Sequence, residues 1–353
     1  MEANSLWANI CRRRDFSKQD MDAFKSHWSK PLELKVSLKD HKSSFPQCKG
    51  RPIQPVQGQA TEKLDWIASL ILQQLLVFVP THLSSSHDLR QRLHAIQSSI
   101  PPDAIHFSLD VVSLYPSCPT SFESGINHVT AFIQQHQDHI NMHGLEPTDI
   151  ADMLNFTFNN TVTRIKDQLY RQTQGIAMGS HSGAAYSILV LNHYEQLAFT
   201  QLQDKFLHAF RYIDDFYVVT DNRETLDTFF TIMNSLHPNL HFTLELPNSS
   251  GCLPFLDMTI TLTNGFFSFQ HYQKPTHCGR YLHWTSSHPP RTKINIIRSE
   301  TARIIENCNK SLQVAAPYLI QLESQLLASA YPSHIIRKHI WPSFTNMGRL
   351  PPK

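Results

Sequence analysis

Two adjacent carboxylates, Asp214 and Asp215, follow Tyr212-Ile213 at the junction of two runs, His208 to Tyr212 and Phe216 to Thr220, that read as strands. Aspartate favours turns, so a lone Asp-Asp pair most often marks a solvated hairpin tip. Strand side chains alternate in direction, and such a pair serves one metal ion only if a third acid faces it from another strand. Asp110 is the candidate, because it falls at the end of the alternating run His106-Phe107-Ser108-Leu109-Asp110-Val111-Val112. Three carboxylates from two strands would hold two Mg²⁺ ions, hard cations that take oxygen ligands and leave positions open for phosphates.

The elements that must position these acids are legible around them. Gln174-Gly175-Ile176-Ala177-Met178-Gly179-Ser180 follows a strand-like Gln168 to Gln172 and precedes an apolar helix from about Ser182 to Phe199, and its two glycines allow close approach of the backbone to a ligand. After the acid pair come a helix from Leu226 to Leu236, a strand from His241 to Glu245, and Gly251 to Met258 leading through an Asn264-Gly265 hairpin turn. Trp66 to Val79 reads as an amphipathic helix, and it is shorter than the ~20 residues of a membrane span. Pro80 to Pro102 reads as a connector with a short helix, and Gln134 to Asp149 as a polar insertion. From Thr292 to Ile340 the pattern is helical, with Ile296, Ile297, Ile304 and Ile305 at helical spacing.

In this order the segments resemble the palm of a reverse transcriptase, and in detail that of Penelope-like retroelements, over most of the chain. Ser108-Leu109-Asp110-Val111-Val112-Ser113-Leu114-Tyr115 is similar to the first palm motif. Gln174-Gly175 with Met178-Gly179 is similar to the second, and Arg211-Tyr212-Ile213-Asp214-Asp215 to the third. Lys39-Asp40-His41-Lys42 with Arg51-Pro52-Ile53 resembles the fingers, and Phe255-Leu256-Asp257 the primer grip. Lys274-Pro275-Thr276-His277, Tyr281-Leu282-His283 and Ser287-His288-Pro289 resemble the family's signature past the palm.

The resemblance implies an α+β fold of the right-hand polymerase type, with partial fingers, a palm on an antiparallel sheet and a helical thumb. Its parts would be an N-terminal lead over 1–30, fingers and palm over 31–270, a helix-turn-helix-like thumb over 271–345 and a tail over 346–353. It implies an RNA-directed DNA polymerase that takes an RNA template, a DNA primer and dNTPs, with two Mg²⁺ or Mn²⁺ ions held by the catalytic acids Asp110, Asp214 and Asp215. Tyr115, Gln174, Gly175 and Met178 would line the nucleotide, while Lys39, Lys42 and Arg51 would reach phosphates from the fingers. Phe255, Leu256 and Asp257 would hold the primer, and Lys274, Arg280, Arg291 and Lys293 would contact the nucleic-acid backbone. Catalysis of nucleotidyl transfer is mostly positioning and charge neutralisation, which such a set supplies.

Departures from the family pattern are also visible. The second motif continues Gly179-Ser180-His181-Ser182-Gly183-Ala184 where the family has Gly-Ser-Pro-Leu-Ser-Pro, a change expected to loosen the turn into the helix. An upstream strand with another triphosphate-contacting lysine, and the GIY-YIG endonuclease of many relatives, are not in the sequence. The rival expectation is therefore a decayed or domesticated element protein that binds nucleic acid without catalysis.

Composition bounds the class without naming it: 353 residues, 41% hydrophobic and 17% charged, describe a globular chain able to bury a large core. The formal net charge of +2 is too small to imply nucleic-acid binding, but basic residues gather from Lys30 to Arg51 and from His271 to Lys310, on either side of the acid-bearing centre. Six scattered cysteines with no Cys-x-x-Cys pair favour reduced thiols, hence an intracellular protein, with a nuclear location expected of the element. His277, Cys278, His283 and His288 fit no compact zinc-finger spacing. No signal peptide or membrane segment is expected.

Overall fold

The computed structural model describes residues 2–27, 29–38 and 50–340. Two compact units emerge, one from 1–82 and 109–244, the other from 83–108 and the chain from 245 onward. The division near residue 244 falls earlier than the 270/271 boundary expected from the sequence. Its cause is that the last strand before 271 packs against the helices that follow it, with the His271 and Tyr318 rings 5.5 Å apart.

In the first unit the acid-bearing strands belong to a four-stranded sheet, ordered Leu207–Tyr212, Asp215–Thr220, Ile105–Val111 and Phe242–Glu245. Phe216, Tyr217, Val218 and Val219 are all fully buried, the unbroken apolar run of a strand covered on both faces. The Gly183–Gln201 helix is apolar nearly all round and buries Tyr186, Ile188, Leu189, Val190 and Leu191 in the core, as expected of a helix surrounded by protein. Beside it runs Glu62–Gln74, which buries Leu64, Ile67, Ala68, Ile71 and Leu72. The Arg223–Ser235 helix starts three residues earlier than expected because Asn222 caps it, its Oδ1 accepting from Thr225 N at 2.9 Å. A hairpin of Lys35–Leu38 with Gly50–Ile53 pairs Ser37 with Arg51. The polar lead expected over 1–30 instead contains a packed helix, Glu2–Arg13, burying Ala3, Trp7, Ile10 and Cys11. Those four recur at helical spacing, a signal masked by the arginines that follow.

In the second unit Cys252–Phe255, Met258–Thr263 and Phe266–His271 form an antiparallel sheet. Asn264 and Gly265 both take positive φ, 50° and 77°, which matches the twist of a two-residue hairpin. Three helices, Pro290–Asn307, Leu312–Ala328 and Ser333–Ile340, share a core of Ile297, Ile304, Leu319, Leu322, Leu326 and Ile336. The expected connector holds an 11-residue helix, Ser86–Ile96, capped by Ser85 and buried through Leu89 and Leu93. Among the described residues no helix is long and apolar enough to cross a membrane.

Candidate active site

The acid pair lies at the turn between two paired strands: Tyr212 faces Asp215, leaving Ile213 and Asp214 as a two-residue turn. The Asp214 carbonyl accepts a hydrogen bond from Val111 N at 3.2 Å, which fastens the turn to the end of the Ile105–Val111 strand. Asp110, next to Val111, is the one exposed residue among buried neighbours there. Burial pushes the Asp214 carboxyl above the usual carboxylate range, and the nearby Asp110 carboxylate pushes the same way. Opposing them are a backbone hydrogen bond and the positive charges of Arg51 and Arg211. Asp110 and Arg51, distant in sequence, are thus brought within electrostatic reach of one carboxylate. Asp215 is half-buried at the head of its strand.

Tyr115 approaches the same acid. Its hydroxyl is held above the ordinary phenol range, first by burial, then by the Asp214 charge and by Cys118. Behind it the glycine turn closes tightly: Ile176 N donates to Tyr115 O at 2.7 Å, and Gly175 has φ 70°. A Cβ on Gly175 would lie 2.4 Å from both the Tyr115 and Pro116 carbonyl oxygens, so no larger residue fits there. Gly183 lies against the Tyr115 ring, where a Cβ would meet Cε1 at 3.2 Å. Gln174 is exposed and Met178 half-buried, the latter's carbonyl accepting from Gln54 N at 3.1 Å. Lys39 and Lys42 lie outside the described residues.

Two anchors of this site were missed from the sequence. Arg211 is fully buried: Nε donates to Glu195, Nη1 to Ile213 O at 2.9 Å and Nη2 to Ile188 O at 3.0 Å. Thr81 donates its hydroxyl to the other Glu195 oxygen, and its carbonyl accepts from Arg211 N at 2.7 Å. Asp65 is also fully buried and accepts from Ser180 Oγ at 2.9 Å, from His181 N at 2.6 Å, and from Ser182 through both N and Oγ. The turn expected to be loosened by its departure from the family pattern is instead tied down by this carboxylate. A lone acid within an apolar helical stretch, as at Glu195 and Asp65, was the available signal, since such groups are rarely buried unpaired.

In the second unit Phe255 ends a strand paired with Met258, and Leu256 and Asp257 form the two-residue turn between them, with Leu256 at φ 55°. Lys274, Arg280 and Arg291 are exposed, as phosphate contacts require. Lys293 corrects the expectation made for it: it is buried, its ammonium donating to the Trp284 and Ser286 carbonyls and lying 5.5 Å over the Trp284 ring. A lysine at helical spacing with Ile297 points inward, and its charge is spent on the loop before the helix.

Among the described residues no group of three or more His, Cys, Asp and Glu side chains is gathered closely enough to hold a metal ion. The expected three-acid cage is therefore not formed by the protein alone. The pair Asp110 and Asp214 nonetheless fits a hard divalent cation, because both donors are oxygens and their mutual repulsion, which raises Asp214, is what a cation relieves. Magnesium is commonly held by one or two carboxylates and completed by substrate phosphates.

Comparison with solved structures identifies the fold. The telomerase from Candida albicans, in a complex with a TWJ fragment of telomeric RNA, matches at a TM-score of 0.58 and 12% identity, over 86% of this chain and 56% of that one. The apo telomerase from Candida tropicalis matches at 0.53 and 10%, over 98% and 63%. The Sicinivirus 3Dpol RNA-dependent RNA polymerase matches at 0.52 and 11%, over 90% and 68%. The chain has a right-hand polymerase fold. It spans little more than half the length of the Candida albicans telomerase chain. Residues 280–341 match the animal helix-turn-helix domain, which here is the helical bundle of the second unit and the loop before it. No curated protein matches the chain.

Proposed function

We propose that the chain is the RNA-directed DNA polymerase of a Penelope-like retroelement, extending a DNA primer on an RNA template with dNTPs in the nucleus. The carrying observation is that Asp110, Arg51 and Tyr115 all lie within electrostatic reach of Asp214 at the end of two adjoining strands. Asp110 and Asp214, with Asp215 beside them, would hold Mg²⁺ or Mn²⁺. When bound, the ions neutralise the triphosphate and lower the pKa of the primer hydroxyl.

The chain's own residues supply the rest. Arg51 brings a fixed positive charge to the place where the triphosphate must lie, and Tyr115 offers a ring against which a 2′ hydroxyl would be crowded. Gln174, Gly175 and Met178 form the floor near the base, Gly175 because a bare backbone permits the approach. Lys39 and Lys42 belong to the same fingers segment as Arg51. Phe255, Leu256 and Asp257 would act as the primer grip, and Lys274, Arg280 and Arg291 would track the backbone from the helical thumb, taken as 271–345 after fingers and palm over 31–270.

The test is extension of a DNA primer on an RNA template by purified protein with Mg²⁺ or Mn²⁺. Template-directed dNTP incorporation that disappears in Asp214→Asn supports the proposal. Protein that binds the hybrid but never extends it is the decayed, binding-only element protein instead.

A further inference from the structure

The turn that carries Asp214 places one residue, Ile213, in a conformation it does not favour. Tyr212-Ile213-Asp214-Asp215 contains no glycine or asparagine, and Ile213 sits at φ 56°, where a β-branched side chain is crowded. The Phe255-Leu256-Asp257-Met258 turn offers an internal comparison. It too has an apolar residue at positive φ, and its second carbonyl, Asp257 O, is held by neutral donors, Tyr272 N at 2.8 Å and Asn307 Nδ2 at 2.9 Å, as Asp214 O is by Val111 N, but among the described residues no buried charge reaches its first carbonyl, Leu256 O. A turn of this shape therefore needs no buried charge to exist.

Beneath Ile213, by contrast, lies an ion pair whose two side chains are both fully buried. Such pairs are poor stabilisers, since desolvation offsets their attraction, and apolar residues of similar volume often serve stability as well or better. What a buried guanidinium does supply is a rigid plane of donors. Here one edge is fixed by Glu195, itself held by Thr81, a second group by Ile188 O, and the remaining nitrogen reaches Ile213 O at 2.9 Å.

We infer that the Arg211–Glu195 pair is a positioning device for nucleotidyl transfer, locking the Ile213-Asp214 turn in the register that presents Asp214 beside Asp110. The inference rests on the polymerase reading above. Arg211 and Glu195 touch no substrate; they act through the turn.

Three variants test it: Arg211→Lys, which keeps the charge and loses the fork, Glu195→Gln, and the double apolar replacement Arg211→Met with Glu195→Leu. Each is measured for thermal stability, for RNA–DNA hybrid binding by anisotropy, for Mn²⁺ affinity by electron paramagnetic resonance, and for single-turnover dNTP incorporation. The double variant is expected to fold and bind hybrid as the wild type does. Its incorporation rate should fall about 100-fold at unchanged KM, the cost of roughly 1 Å of misplacement, with Mn²⁺ bound at least several-fold more weakly. Arg211→Lys should lose rate in the same way, which keeps the test decisive if the double variant does not fold. A folded variant of either kind with wild-type rate and Mn²⁺ affinity overturns the inference while leaving the polymerase standing. Wild-type protein that extends no primer but binds Mn²⁺ overturns the polymerase reading, and equal Mn²⁺ affinity in the variants then overturns the positioning role as well. Wild-type protein that does neither removes both.

Discussion

At the scale of single residues, Asp214 carries a conflict between stability and function. Its folded-state pKa is raised, so the folded protein holds that proton more tightly than the unfolded chain does. The stability this gives is present at pH values below the ordinary carboxylate range and is lost as pH rises through the raised pKa. At pH 7.5 without divalent ions, Asp214→Asn is expected to raise the melting temperature by a few degrees at most, and the gain should shrink toward pH 4; a thermal-shift series in chelator measures it. The same substitution should abolish extension, since an amide is nearly isosteric but a far poorer metal ligand. Tyr115→Val should raise ribonucleotide incorporation relative to deoxynucleotide by removing a steric wall, read as the ratio of kcat/KM for the two sugars. Gly183→Ala tests how that wall is seated. A Cβ there would lie 3.0 Å from Ile176 Cγ2 and 3.2 Å from the Tyr115 ring, so both side chains must give by a few tenths of an ångström, and the sugar ratio should change with little effect on folding.

At the scale of elements, the Glu62–Gln74 helix holds the glycine turn through one carboxylate. Asp65→Ala would strand the buried Ser182 hydroxyl and backbone N–H, each costing roughly 1–3 kcal/mol when left unpaired, while water can reach the Ser180 and His181 donors, and a total loss of about 3 kcal/mol is expected in urea denaturation. Such an anchor is hard to read from a sequence. The hairpins were legible because their signals are local: strand-forming runs on both sides of Asp214, and Asn264-Gly265 at a turn that demands positive φ. Helix Gly183–Gln201 was legible from its largely apolar composition. Asp65 finds its partners more than a hundred residues away, and Arg211 finds Glu195 on the preceding helix; a lone acid in each apolar stretch signals a partner, but nothing in the local pattern names it. Lys293 failed for the converse reason, since a basic residue in a basic segment looks like a surface residue until the loop carbonyls that capture it are seen. The Glu2–Arg13 helix was hidden by composition, its four buried residues diluted among polar ones.

At the scale of the whole molecule, the basic character is local rather than global, with a net charge of only +2. Hybrid binding should therefore depend on particular exposed side chains. Replacing Lys274, Arg280 and Arg291 together by alanine is expected to weaken binding uniformly across sequences. If each meets a phosphate, the slope of log affinity against log salt should flatten by about 0.9 per residue. Lys293→Ala should instead lower the melting temperature with no matching change in that slope.

The second unit is assembled from two stretches separated by the whole of 109–244. Arg90, in the earlier stretch, is buried against Glu306, 216 residues further on. During synthesis the Ser86–Ile96 helix must therefore wait for the partner of Arg90 until the ribosome has delivered the Pro290–Asn307 helix. Contacts of such sequence separation form late and slowly. The molecule is vulnerable in that interval, and a holding chaperone that captures short amphipathic helices would find its substrate there.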